Sequence, residues 1–149
     1  MKKLTLLLAV IVSFQCFSQA SEKEMEKKAR EFHRVIGLDD KEQWKKFIQE
    51  NYAKSFIERV MKTQQSQQEG ETASSTTTEI KGTVEDKVKM LGRLHDDFGG
   101  SKISSIKSTS EGVEMVLDGD DIVGTFKFKF ENTKPYLITG IGMNAERGR

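Results

Sequence analysis

GVEMVLDGDDIVGTFKFKF, residues 112–130, is the stretch that decides the fold. Val113, Met115 and Leu117 alternate with more polar neighbours, and Phe126, Phe128 and Phe130 alternate with Thr125, Lys127 and Lys129. A period of two sends successive side chains to opposite faces of a pleated strand, so each run reads as a half-buried strand of an antiparallel sheet. Asp118 to Asp121 between them is polar and contains a glycine, which is the composition of a hairpin turn.

Working outward, Ser108 to Gly112 and Asn132 to Pro135 supply two more turns, and four strands result. The last strand, from Tyr136 to Met143, contains Gly140 and Gly142, which predict a bulge or a close backbone approach. Upstream the period becomes helical. Val84, Val88, Leu91 and Leu94 form one stripe behind a cap at Thr83, and Gly99-Gly100 predicts a left-handed exit. A first helix follows from the Ser21/Glu24 capping box and the stripe Met25, Ala29, Phe32 and Ile36, closed by Gly37. A second opens at Asp40 and Gln43, carries Trp44, Phe47 and Ile48, and breaks near Asn51. Phe56, Ile57, Val60 and Met61 predict a third helix, running until the chain turns polar. From Thr63 to about Thr78, with flanks reaching Gly82, there is little to bury, and a flexible segment is the expectation in preference to a short edge strand. Helices first and a meander afterwards imply an α+β domain, with helices packed on one face of a four-stranded antiparallel sheet.

Residues 1–20 read as a secretory leader: Lys2 and Lys3, an apolar run from Leu4 to Phe17, then Ser18-Gln19-Ala20. The run is too short to span a bilayer, and cleavage after Ala20 is expected to leave a single domain, 21–149, beginning at Ser21 in the periplasm or outside the cell. Cys16 is the chain's one cysteine. Phe14 and Gln15 before it are not the small residues of a lipidation site, so it reads as a hydrophobe of the leader. The domain beyond therefore has no disulfide, thiol nucleophile or cysteine metal ligand. The 24 basic residues against 23 acidic ones provide no general pull toward phosphates, which argues against nucleic acid.

Three features together, Met90-Leu91-Gly92-Arg93-Leu94-His95-Asp96-Asp97-Phe98-Gly99-Gly100, the strand meander, and the ending Tyr136-Leu137-Ile138-Thr139-Gly140-Ile141-Gly142, carry a resemblance. The chain resembles small exported bacterial domains that occur alone or beside serine hydrolases of the β-lactamase type. Those domains are similar to the cone-shaped α+β superfamily of nuclear transport factor two and ketosteroid isomerase, also described as cystatin-like. The resemblance runs from Glu42 to Met143, and its polar segment from Thr63 to Gly82 is longer than the family implies. It implies a scaffold and an accessory role, without a ligand.

No catalytic set emerges from the spacing. An isomerase-like reaction would have to use His95, with Asp96 or Asp97, or else His33. His95 lies beside Leu94 on the edge of the helix stripe, where a hydrogen bond to a backbone carbonyl is the expectation. Ser104-Ser105-Ile106-Lys107 matches S-x-x-K, but in a strand and without companion motifs. Asp118-Gly119-Asp120-Asp121 begins like a calcium loop, yet Val123 stands at its sixth position and Lys129 at its twelfth. No metal site and no cofactor are expected. The remaining candidates are aromatic: Trp44, Phe47, Phe126, Phe128 and Tyr136 form a core that in a cone-shaped fold also lines a ligand cavity. The outer face, with Thr125, Lys127 and Lys129, is a candidate surface for a partner or a second copy of the chain, as in a homodimer.

These features support an exported noncatalytic binding or accessory module for a small apolar ligand or an exported protein partner. The alternatives are a small isomerase- or hydrolase-like enzyme using His95 or a neighbouring aspartate, and a structural or dimerisation domain.

Overall fold

A computed structural model describes residues 21–65 and 76–147. The expected leader and the middle of the polar segment lie outside the described residues. The first helix, α1, comprises residues 21–36 and buries Ala29, Phe32, Val35 and Ile36. Helix α2 (Lys41–Asn51) starts where the Asp40 carboxylate accepts hydrogen bonds from the Glu42 and Gln43 N–H groups at 3.0 and 3.2 Å. These bonds satisfy two donors that a helix start leaves orphaned. Its buried residues are the expected Trp44, Phe47 and Ile48.

A short α3 (Lys54–Ile57) follows, and here the structure departs from the expectation of a third helix through Met61. Val60–Gln65 forms β1, which pairs antiparallel with β2 (Thr76–Lys81) in a two-stranded sheet of its own. The two ends of the polar segment are thus hydrogen-bonded strands, the reading that sequence composition placed second. β-branched residues on each arm suit the extended backbone, and an ion pair from Lys81 to Glu58 at 2.6 Å ties the base of the hairpin.

Helix α4 (Val84–Phe98) opens with a reciprocal cap. The Thr83 hydroxyl accepts from the Asp86 N–H at 3.2 Å, and the Asp86 carboxylate accepts from the Thr83 N–H at 3.0 Å. Leu91, Leu94 and Phe98 form its buried stripe. Its exit is not left-handed. Gly99 has φ −58°, an ordinary helical value, and the glycine serves for space: a Cβ there would lie 2.6 Å from the His95 carbonyl oxygen and 2.7 Å from its ring Nδ1.

The meander consists of β3 (Lys102–Thr109), β4 (Gly112–Asp118), β5 (Ile122–Phe130) and β6 (Ile138–Arg147), each antiparallel to the next. Val113, Met115, Leu117, Phe126 and Phe128 are buried on the inner face under the helices. Glu114, Lys127 and Lys129 occupy the other face, so the architecture is the expected α+β. Gly112 has φ 140°, and a Cβ on it would collide with the Phe128 carbonyl, so the β3–β4 turn requires glycine. The last strand begins at Ile138 rather than Tyr136, because Tyr136 is held in a turn with φ 51° and its N–H donates to the Thr133 carbonyl at 2.9 Å. The expected irregularity is present: Lys129 pairs with Gly140 but Phe130 with Ile138, leaving Thr139 as an extra residue. Among the described residues no helix is long and apolar enough to cross a membrane.

Candidate functional site

His95 on α4 is half-buried against the end of α1, 59 residues away in sequence. Its Nδ1 lies 2.7 Å from the Ile36 carbonyl oxygen. A carbonyl only accepts, so that nitrogen carries the proton and donates it. The Trp44 ring sits beside the imidazole at 5.7 Å between centroids, and the Trp44 Nε1–H is shared between the Val35 and Leu38 carbonyls at 2.9 Å each. His95 thus takes the Ile36 carbonyl at the C-terminal end of α1, and Trp44 adds a donor to the Val35 carbonyl, which also accepts from the Leu38 N–H. His33 does the same elsewhere, donating from Nε2 to the Ser101 carbonyl at 3.0 Å. Both histidines fasten helices to neighbouring backbone.

Trp44, Phe47, Phe126 and Phe128 share one core, which is built around a ring from α1, and Tyr136 lies outside that cluster. Phe32 touches Phe126, Phe128 and Phe47 at centroid separations of 5.8, 5.1 and 6.2 Å. Phe98 closes on Phe126 from α4 at 5.2 Å. Trp44, Phe47, Phe126 and Phe128 are at most 3 % exposed, and Tyr136 is 8 % exposed in the β5–β6 connection. Edge-to-face and tilted contacts of this kind fill the space between helices and sheet.

Asp96 and Asp97 are exposed and face a surface cleft of about 450 Å³ between the end of α4 and the β4–β5 turn. Asp120, Asp121, Ser101 and Arg147 also line it. Asp120 and Asp121 of the β4–β5 turn thus line the same cleft as the aspartates of α4, a juxtaposition that the linear order does not display. Among the described residues no group of three or more histidine, cysteine, aspartate or glutamate side chains is arranged to hold a metal ion. Ser104 and Lys107 sit on the edge strand β3, where Ser104 Oγ donates to the Val116 carbonyl at 3.4 Å and Lys107 pairs with Glu114 at 2.8 Å.

Sequence reasoning missed Tyr52. Its ring is 2 % exposed among Phe47 and Phe56, and its hydroxyl has no hydrogen-bond partner among the described residues. Burial pushes the phenol far above its ordinary range, because the phenolate would have no solvent. A tyrosine just past a helix end carries no sign of this in sequence.

No protein-family model, curated protein or solved structure matches the chain.

Proposed function

We propose that the chain is an exported, noncatalytic interaction module whose partner is a protein rather than a small apolar ligand. The observation that carries this reading is the hydrogen bond from His95 Nδ1 to the Ile36 carbonyl, by which the imidazole ties α4 to the end of α1 through one of its two nitrogens. The aromatic set argues the same way, since Phe32 takes the place that a ligand would occupy between Phe126 and Phe128. Recognition then belongs to the surface. The leader-like residues before Ser21 support export, and helices followed by a meander support the cone-shaped superfamily as the scaffold.

Native mass spectrometry of the protein recovered from the exported fraction tests the reading. A chain beginning at Ser21 and free of small-molecule adducts is expected. An apolar molecule retained at one per chain would overturn the choice of a protein partner, and an acylated Cys16 or an intact leader would overturn the processing.

The acidic cleft favours a second reading, a hydrolase-like enzyme, because Asp97 and Asp121 line one concave surface. Ester or glycoside turnover that is abolished by Asp97→Asn, with the fold intact by circular dichroism, would replace the first reading with this one.

A further inference from the structure

The two edges of the four-stranded sheet differ. On β3 the edge carries Lys102 and Lys107 and is broken by an irregularity at Ser104, devices that discourage a further strand. On β6 the first residues are occupied: the Ala53 N–H donates to the Ile138 carbonyl at 2.9 Å, and Arg59 donates to the Thr139 carbonyl at 3.1 Å. Beyond them, Gly140 to Arg147 pairs with β5 without interruption and has no other strand beside it among the described residues. This stretch contains no proline and, from Gly140 to Ala145, no charge. Met143 is 49 % exposed on the side that faces the helices elsewhere in the sheet. Its charges are confined to Glu146 and Arg147 at the far end.

A row of side chains on the outer face says what fits there. Lys107 on β3 opposes Glu114 on β4, which opposes Lys127 on β5, which opposes Gly142 on β6. The lysines lie 2.8 and 3.8 Å from the Glu114 carboxylate, and the Lys107 contact holds that carboxyl below its usual range. The row runs positive, negative, positive, and then reaches a bare glycine. A negative residue on the next strand would continue it.

We infer that this strand is a second copy of β6, paired antiparallel about a two-fold axis at Asn144 to make one eight-stranded sheet. Opposed residues in an antiparallel pair share a face, so a two-fold perpendicular to the sheet must pass through a residue rather than between two. Centring on Asn144 uses Ile141 to Arg147 and stops before Thr139, whose carbonyl Arg59 already holds. In this register Glu146 of each copy opposes Gly142 of the other. Strands two apart are about 10 Å apart, a gap that a lysine and a glutamate close by leaning over a residue with no side chain. Glu146 thereby reaches Lys127 and completes the row. On the other face Met143 meets Ala145, covering the exposed methionine. The inference stands on the sheet alone and does not depend on the reading of function given above.

Analytical ultracentrifugation of the full chain, with Cys16→Ser to remove its thiol, tests it. A dimer is expected. Glu146→Lys should weaken it about tenfold, since two symmetric attractions become repulsions, and Lys127→Glu combined with Glu146→Lys should recover the affinity. Asn144→Cys in the same background should form a covalent dimer under mild oxidation, because the two positions face each other across the axis. A chain that stays monomeric at about 100 μM, a concentration well above the Kd of an ordinary stable homodimer, would overturn the inference. So would a dimer that neither weakens with Glu146→Lys nor cross-links through Asn144→Cys.

Discussion

Replacing Tyr52 with phenylalanine removes one oxygen and should make the protein more stable. The ring packs at 5.8 Å from Phe47 and 5.0 Å from Phe56, and phenylalanine keeps both contacts. The hydroxyl is buried without a partner among the described residues, a loss of solvation that costs about 1–3 kcal/mol. Against this stands the small void left by the missing oxygen, so a net gain of about 1 kcal/mol is expected for Tyr52→Phe at neutral pH. The pH dependence supplies an independent sign. An unfolded tyrosine ionises near pH 10, whereas burial holds the folded phenol protonated well beyond that. Below about pH 10 both states are neutral and the group adds no slope. Above it the unfolded state loses a proton that the folded state keeps, and wild-type stability falls by about 1.4 kcal/mol per pH unit until the folded phenol itself ionises. The variant lacks this contribution, so its advantage should widen above pH 10. Urea denaturation of both proteins at pH 7 and across the alkaline limb measures it. A loss of 1 kcal/mol or more for Tyr52→Phe at pH 7, with parallel alkaline limbs, would show that the hydroxyl is paired and refute the reasoning.

Phe128→Ala should cost about 3–5 kcal/mol and Lys127→Ala less than about 0.5 kcal/mol in chemical denaturation, because Phe128 is 1 % exposed against Phe32 while Lys127 is exposed with one carboxylate at 3.8 Å. The reverse order would mean that the strand presents its other face. Gly124→Ala should destabilise by about 1–3 kcal/mol, since its Cβ would lie 2.6 Å from the Phe98 ring. Gly100→Ala meets open space, has no positive φ, and should be neutral or stabilising by up to about 1 kcal/mol by thermal melting. A clear loss at Gly100 would restore the left-handed exit to α4.

What was legible in the sequence is what local chemistry dictates. A sheet with one wet face writes its orientation as alternation, and Phe126-Lys127-Phe128-Lys129 keeps the lysines outside and the phenylalanines inside. Caps are local too, and Asp40 and Thr83 act as their spacing implies. The β1–β2 hairpin was not legible, because strand pairing is nonlocal: Val60 meets Lys81, and neither arm alternates strongly enough to announce a partner. The aromatic set poses a question at a different level. Alternation states which side of the sheet Phe126 and Phe128 face, but not whether the space behind them is empty, and that is decided by Phe32 from a helix at the other end of the chain.

The extent of β6 shows the same division. Its polar end, Asn144 to Arg147, reads as a tail in sequence, yet it is a strand because Ile122 to Thr125 continue β5 beside it and backbone pairing does not depend on side-chain polarity. Those four residues extend the free edge beyond Met143. An edge that ended at Met143, as the alternation alone suggests, would contain neither Asn144 nor Glu146, and the lysine–glutamate row would have no complement. The same residues that hide the strand from sequence reasoning are thus the ones that give its edge a partner, and measuring self-association of the Glu146→Lys chain asks whether that edge is used.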